Sequence, residues 1–162
     1  MRQGDVVLDA SAIVAYARNE PGVQVVANRL RSGGRVLVSA VNWAEAAGKL
    51  RQYGMSPVLV RHALAAADAE IIPFAEPDAD AVARLTQQTL ALGLSLGDRA
   101  WIVLAIAVGA PAVTADRLWS RLANGRCRIW WSNGSADARR LRTTTAVNGI
   151  TPTAAPATRE AA

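Results

Sequence analysis

The sequence predicts an α/β domain in which a parallel sheet is covered by helices on both faces. Short apolar segments of strand length alternate along most of the chain with longer segments whose apolar residues recur at helical spacing. This alternation is typical of strand–helix–strand units, which place successive strands parallel and helices on both faces. About half of the 162 residues are apolar, which supports one domain with a substantial core.

The first part of the chain begins with a strand that runs directly into a helix. Residues 5–9 form a short apolar run that ends in an acid, and the helical pattern of 10–18 follows at once. Pro21 suits the first position of a second helix, which ends at about Leu30. The junction at Asp9 is therefore the first point at which a polar side chain meets the end of a strand.

The rest of the pattern continues the alternation. The next predicted elements are a strand at 36–38, a helix that ends by Gly54, a helix at 58–67, a strand at 71–74, a helix at 78–92, a helix at about 98–108, a strand at 112–114, a helical turn at 117–122 and a strand at 127–131. Ser39 or Asn42 can cap the first of these helices, and Ser56 with Pro57 starts the second. Pro73 places its strand at an edge because proline lacks a donor for the ladder.

Two aspartates, Asp98 and Asp116, are predicted to lie at the same edge of the sheet. Asp98 opens a helix that Gly109 and Pro111 end, and the strand at 112–114 follows. A helix of about 11 residues descends about 16 Å, and the turn and strand, at about 3.3 Å per residue, return a similar distance. Both side chains should then lie where parallel strands end, which is the usual position of a site in an open α/β fold.

Asp9 and Glu45 add two carboxylates to this edge. Asp9 ends the first strand, and Glu45 lies about one turn inside a helix whose side chains tilt toward its N-terminus. At about 4 Å two carboxylates repel by roughly 1 kcal/mol in water and about 4 kcal/mol at an effective dielectric constant near 20. Four of them therefore take up protons or bind a cation, and oxygen ligands favour Mg²⁺ or Mn²⁺. Polar groups nearby are Ser11, Thr114 and Asn42.

Each acid also has a purely structural interpretation. Asp9 or Ser11 can cap the first helix, and Asp98 can cap its own. Asp116 can close a turn, and Glu45 can be a solvated helix residue. The convergence of all four on one edge favours the functional interpretation.

The segments that carry these acids resemble the PIN-domain ribonucleases of the VapC toxin type in order and spacing. The matching segments are Leu8-Asp9-Ala10-Ser11-Ala12, residues 39–45, Leu94-Ser95-Leu96-Gly97-Asp98 and Val113-Thr114-Ala115-Asp116-Arg117. The resemblance covers residues 4–131, nearly all of the predicted elements. It implies a PIN-like three-layer sandwich, with a five-stranded parallel sheet and helices on both faces.

The resemblance also implies an activity and partners. The activity is that of a Mg²⁺- or Mn²⁺-dependent endoribonuclease, a hydrolase that leaves a 5′-phosphate and a 3′-hydroxyl. Its catalytic and metal-binding residues would be Asp9, Glu45, Asp98 and Asp116, with Ser11 and Thr114 as supporting polar groups. The partners are an RNA substrate, a VapB-type antitoxin that neutralises the toxin, and a second copy of the chain in a homodimer. A groove between the apolar helices after Pro21 and Pro57 is a candidate site for the antitoxin.

Three further residues are candidates for contact with RNA. Arg99 and Arg117 each follow an acid of the site, and they can touch flanking phosphates or pair with the acids. Trp119 can stack on an unpaired base, an interaction of about 1 to 3 kcal/mol, or pack in the core. Trp43 and Trp101 fall on apolar helix faces, where core packing is expected.

The basic character of the chain is concentrated after residue 116. Residues 1–116 hold ten Lys or Arg against eleven Asp or Glu, whereas residues 117–162 hold eight Arg against two acids. From residue 132 onward bulky apolar residues are too sparse to offset the entropy of ordering. We therefore expect a PIN domain at 1–132 and a flexible basic tail at 133–162. Such a tail can bind a polyanion, but a basic tail is more often simply solvated.

Other features narrow the class of protein. The single cysteine and single histidine exclude an internal disulfide and a Cys/His zinc site. No apolar segment approaches the roughly 18 residues needed to span a bilayer, so a cytoplasmic protein without a membrane partner is expected. Two other functions stay open, a metal-dependent DNA nuclease of related fold and a non-catalytic binding module that uses the acids only as caps.

Overall fold

The computed structural model describes residues 4–115, except 22 and 32, together with the backbone of residues 129–131. The strands of this part are β1 (Val6–Leu8), β2 (Val36–Ser39), β3 (Ala69–Ile72), β4 (Ala112–Thr114) and β5 (Ile129–Trp131). They form one five-stranded sheet in the order β3-β2-β1-β4-β5, in which all neighbouring strands are parallel. The predicted fold class is therefore confirmed.

Within the same residues six α-helices connect the strands. They are α1 (Ala10–Ala17), α2 (Val23–Leu30), α3 (Ala40–Gln52), α4 (Pro57–Ala66), α5 (Glu76–Thr89) and α6 (Leu96–Val108). Side-chain oxygens cap the first turns of α1, α3, α4 and α6, the capping residues being Asp9, Ser39, Ser56 and Ser95. None of the helices in the described part is long and apolar enough to cross a membrane.

Several predicted boundaries shift by a few residues. β3 ends at Ile72, just before Pro73, because the missing N–H cannot continue the ladder, and β3 does lie at an edge beside β2. α6 begins at Leu96 rather than at Asp98, since Ser95 supplies its cap. The predicted helical turn at 117–122 and the first two residues of the predicted strand at 127–131 lie outside the described residues.

Alternate residues of the strands face two separate cores. Val6 and Leu8 of β1 pack with the buried faces of α1, α2, α3 and α4, whereas Val7 packs with α5 and α6. On the second face Trp101 is completely buried and its Nε1 donates to the carbonyl oxygen of Val7 at 3.1 Å. The core position expected for Trp101 is confirmed, and the protein is a three-layer sandwich.

The order of the strands creates a switch point between β1 and β4. From β1 the chain moves outward through β2 to β3, and it then returns across the sheet to β4 on the other side of β1. Because crossover connections are right-handed, this change of direction places α5 and α6 on the face opposite to α1. The ends of β1 and β4 are left side by side, which is where ligands bind in folds of this kind.

Candidate active site

Asp9 lies at the switch point, between the end of β1 and the start of α1. It is only 5% exposed. Its Oδ1 accepts the backbone N–H of Ala12 at 2.7 Å, which is the cap of α1. Its Oδ2 accepts the Thr114 hydroxyl at 2.6 Å, and the Ser11 hydroxyl lies 2.9 Å from both carboxylate oxygens. Neutral donors therefore hold this carboxylate in one orientation.

Ser11 and Thr114 join α1 to β4 around Asp9. Their hydroxyl oxygens are 3.2 Å apart, and Ser11 Oγ also accepts the backbone N–H of Ala115 at 2.9 Å. Thr114 is completely buried. The two hydroxyls predicted as supporting groups thus contact Asp9 directly and fix its position relative to both strand ends.

Burial raises the pKa of Asp9 from 3.8 to about 6, because the charged form loses hydration. The hydrogen bonds from Thr114, Ala12 and Ser11 oppose this rise, and the negative charge of Asp98 adds to it. No cationic side chain in the described part of the chain forms an ion pair with Asp9. A cation bound beside Asp9 would favour its ionised form, so the electrostatics of this position suit a positively charged ligand.

Glu45 lies in the second turn of α3 and reaches the start of α6. A Cβ added at Gly97 would overlap Glu45 Oε2, so the end of the Glu45 side chain lies directly against the backbone at the start of α6. Glu45 Oε1 accepts a hydrogen bond from Lys49 Nζ at 2.7 Å, and both side chains are partly exposed. Glu45 is therefore not the purely solvated residue of the structural interpretation.

Lys49 is a residue of this site that the sequence analysis did not identify. Burial lowers its pKa, but the hydrogen bond from Lys49 to Glu45 and the charges of Glu45, Asp9 and Asp98 outweigh that effect, and its pKa is raised overall. One ammonium group is thus within electrostatic reach of three predicted site acids. The available signal was the spacing of Glu45 and Lys49, four residues apart on a helix, which is the spacing of a helical ion pair.

Asp98 occupies the third position of α6 and forms a capping box with Ser95. Its Oδ2 accepts the Ser95 N–H at 2.7 Å, and Ser95 Oγ accepts the Asp98 N–H at 3.1 Å. The interpretation of Asp98 as a capping residue is therefore correct. The same position brings its charge close enough to raise the pKa of Asp9, so the capping role leaves the Asp98 carboxylate electrostatically coupled to Asp9.

Asn42 connects α3 to α6 in the interior. It is 2% exposed, and its Nδ2 donates to the carbonyl oxygen of Gly97 at 3.1 Å. Its Oδ1 is buried and has no hydrogen-bond partner among the described residues. Because Ser39 caps α3, Asn42 is left to hold Gly97 in place, with one oxygen available to a further donor.

The donor set of this edge fits a hard divalent cation. Asp9, Glu45 and Asp98 offer carboxylate oxygens, and Asn42 offers an unsatisfied amide oxygen. In the described residues no three acids, histidines or cysteines are close enough to make a complete metal site. Asp116, the predicted fourth acid, lies outside those residues. Oxygen donors of this kind are those that hard divalent cations prefer.

Of the three residues predicted to contact RNA, only Arg99 lies among the described residues. Arg99 Nε donates to the Thr89 hydroxyl at 3.1 Å, so its guanidinium lies against the end of α5. Arg117 and Trp119 lie outside the described residues, as does the predicted tail at 133–162. Trp43 is partly buried against the α1–α4 side of the sheet, in agreement with the packing role expected for it.

An apolar cleft lies on the surface of the α1–α4 layer. It has a volume of about 500 Å³ and is bounded by α2, by α4 and by the C-terminal end of α1. Most of its lining is apolar, as at Val23, Leu59 and Val60, but the polar residues Asn19, Gln24 and Arg31 also line it. Leu59, at the edge of the cleft, is 70% exposed and offers an apolar side chain to solvent. The helices after Pro21 and Pro57 therefore do form a groove between them.

Comparisons with known proteins agree with this architecture. The family model described as PIN domain matches residues 6–125. A toxin–antitoxin complex from Klebsiella pneumoniae has a chain with 16% identity and a TM-score of 0.57, over 71% of this chain and 90% of that one. VapBC2 from Rickettsia felis, bound to a DNA fragment from its promoter, gives 18% identity and a TM-score of 0.58, over 78% of this chain and 97% of that one. No curated protein matches the chain by sequence.

Proposed function

The chain belongs to the PIN-domain family, and on this premise we propose that it is a metal-dependent endoribonuclease, the toxin of a VapBC-type toxin–antitoxin system. The observation that carries the proposal is the position of Asp9. A nearly completely buried carboxylate, oriented by two hydroxyls and close to the charge of Asp98, lies at the switch point of the sheet without a cationic partner among the described residues. Such a carboxylate is well suited to holding a divalent cation.

The proposed reaction is hydrolysis of an RNA phosphodiester by water. Asp9, Asp98 and Glu45, together with Asp116, would hold Mg²⁺ or Mn²⁺. When bound, such an ion would lower the pKa of a water molecule and neutralise charge on the phosphate and the leaving oxygen. The products would carry a 5′-phosphate and a 3′-hydroxyl.

Ser11 and Thr114 act on this reaction through Asp9. Their hydroxyls donate to its carboxylate at 2.6 to 2.9 Å and keep its oxygens in a fixed direction. Asn42 acts through Gly97, whose carbonyl it binds, and it thereby keeps the start of α6 close to Glu45. These contacts fix the Asp9 carboxylate and the start of α6 before a cation or substrate arrives, which would reduce the reorganisation that this part of the site needs for reaction.

The chain offers a matched pair of variants to test this proposal. Asp98 and Asp78 both accept the backbone N–H of the residue three positions earlier, at the starts of α6 and α5. Asp98→Asn and Asp78→Asn therefore change the same kind of cap. We expect Asp98→Asn to reduce cleavage of RNA in Mn²⁺ by at least about a thousandfold, because it removes a charge that the reacting site needs, while Asp78→Asn stays within about twofold.

The assay compares RNA and single- and double-stranded DNA as substrates for the wild type and both variants. Equal RNA cleavage by Asp98→Asn and Asp78→Asn would contradict the assignment of the site. Cleavage of DNA alone would favour the DNA nuclease, and loss of stability in both variants with no Mn²⁺-dependent activity in the wild type would favour the binding module. Circular dichroism and melting temperatures of the three proteins show whether the fold is retained.

We further propose that the apolar cleft between α2 and α4 receives the apolar face of an antitoxin helix. Leu59 lines the cleft, whereas its neighbour Val58, which is 58% exposed, does not. Leu59→Arg should weaken binding of the antitoxin encoded alongside by at least about tenfold, because a buried charge replaces an apolar contact, and Val58→Arg should not. Equal affinity of both variants in a titration would place the antitoxin elsewhere.

A homodimer and a cytoplasmic location complete the proposal. The homodimer is proposed from the likeness to toxins of this type, and the cytoplasmic location from a substrate that is RNA. Sedimentation velocity of the free chain, and of its complex with the antitoxin, measures the oligomeric state.

A further inference from the structure

Lys49 occupies an unusual place in the chain and in the site. It is the single lysine among 18 basic residues, the other 17 being arginines. In a sequence so strongly biased toward arginine, the one lysine is the residue whose ammonium contacts a predicted site acid, Glu45, at 2.7 Å. Its side chain is 44% exposed, so the ammonium also faces solvent from which a cation or substrate would arrive.

Lysine and arginine differ in how they bind a carboxylate, so the presence of a lysine beside Glu45 has a physical consequence. An arginine can clamp a carboxylate through two parallel hydrogen bonds, whereas a lysine is a compact point charge on a flexible stem that makes and breaks single contacts. Lys49 lies one helical turn after Glu45, and its charge is close to those of Asp9 and Asp98. A monodentate, movable cation thus stands among the carboxylates that would bind a metal ion.

We propose that Lys49 is the built-in counter-cation of the acidic site, which holds Glu45 in the metal-free protein and is displaced from it when a divalent ion binds. The inference rests on the proposed function, since it concerns the same carboxylates. Its consequence is that Lys49 weakens the affinity for the ion, because an entering ion must both release Glu45 from the ammonium and approach a like charge. In the metal-free protein the ammonium in turn compensates part of the negative charge of Glu45, Asp9 and Asp98.

The test measures Mn²⁺ affinity of the full chain by calorimetry, with electron paramagnetic resonance of free Mn²⁺ as a second readout. Lys49→Met keeps the length of the side chain and removes the charge, and it should tighten Mn²⁺ binding by about tenfold. Lys49→Arg keeps the charge and strengthens the contact with Glu45, so it should bind Mn²⁺ no more tightly than the wild type. In a Glu45→Gln background, where the ammonium has lost its partner, Lys49→Met should gain less than about threefold.

The outcomes separate this inference from the proposed function. Unchanged or weaker Mn²⁺ binding by Lys49→Met, in a protein whose binding still depends on Asp9, would overturn the role of Lys49 alone. A gain of the same size with and without Glu45 would also overturn it, since the effect would then be one of general charge. If Asp9→Asn and the wild type bind Mn²⁺ equally, no metal site exists at these acids and both proposals fail.

Discussion

The two ends of β1 each carry a buried aspartate, and the two aspartates have opposite surroundings. Asp5 precedes the strand and is 3% exposed, while Asp9 follows it and is 5% exposed. Asp5 accepts three hydrogen bonds from Arg35, from its backbone N–H at 2.9 Å, from Nε at 3.2 Å and from Nη2 at 2.9 Å. Asp9 accepts bonds only from neutral donors in the described residues, two of them hydroxyls.

These surroundings move the two pKa values in opposite directions. Burial acts on both carboxyls to raise the pKa, but at Asp5 the hydrogen bonds and charge of Arg35 outweigh it, and the pKa is lowered. At Asp9 burial prevails and the pKa rises to about 6. Among the described residues the charge of Asp5 is compensated by Arg35, whereas Asp9 forms no ion pair. The comparison therefore distinguishes a compensated carboxylate at the start of the strand from the carboxylate at its end, where we propose that a cation binds.

The sharpest test of this comparison is the same substitution at both ends of β1, with EDTA present at pH 7.5. Asp5→Asn should lower the free energy of unfolding by about 1 to 2 kcal/mol, because charge-assisted hydrogen bonds to Arg35 are lost. Asp9→Asn should raise it by about 1 kcal/mol, since the asparagine still caps α1 and the cost of a buried charge is removed. Urea unfolding of the two variants and the wild type measures both changes.

A destabilisation of similar size in both variants would remove the distinction between the two ends. It would mean that Asp9 serves chiefly as a cap, as the binding-module hypothesis requires. Thr114→Val is a useful companion, because it removes one donor to Asp9 without changing any charge.

A smaller effect is expected in the dependence of stability on pH. The pKa of Asp9 is higher in the folded chain than its ordinary value, so its stabilising contribution is complete below about pH 4 and is lost as the pH rises through about 6. Between pH 5 and pH 7.5 the metal-free wild type should lose about 1 kcal/mol of unfolding free energy from this residue. Asp5, whose pKa is lowered, contributes in the opposite sense, and its contribution is lost only as the pH falls below about 4.

Urea unfolding in EDTA at pH 5, 6 and 7.5 checks this dependence, with Asp9→Asn as the control that should lack it. The same decline in Asp9→Asn would assign the effect to another group. With Mn²⁺ present the decline should shrink or reverse, because the ion binds the ionised carboxylate.

The sequence was sufficient to predict the fold class and to place several polar residues at one edge of the sheet, because both depend on local patterns. Alternating apolar periodicities specified strands and helices, and the polar residue at each strand-to-helix junction could be placed at one edge from topology alone. Asp9, Glu45 and Asp98 were predicted in this way, and their assignment as site residues stays a prediction. Predicted boundaries were wrong by a few residues where two residues could each begin a helix. Asp98 was predicted to begin α6, but Ser95 caps the helix through a capping box, so α6 begins at Leu96.

Only the tertiary structure determined which of the buried carboxylates has a cationic partner among the described residues. Asp5 and Asp9 are four residues apart around one strand, and nothing in the local sequence of either predicts that Arg35, thirty residues later, binds the first and not the second. The partnership of Asp9 with Thr114 likewise spans 105 residues. The sequence by itself determined where carboxylates meet the ends of strands, since periodicity and caps are local. Only packing between distant segments determined their solvation and their partners, and these set the pKa of each group and the ligand it suits.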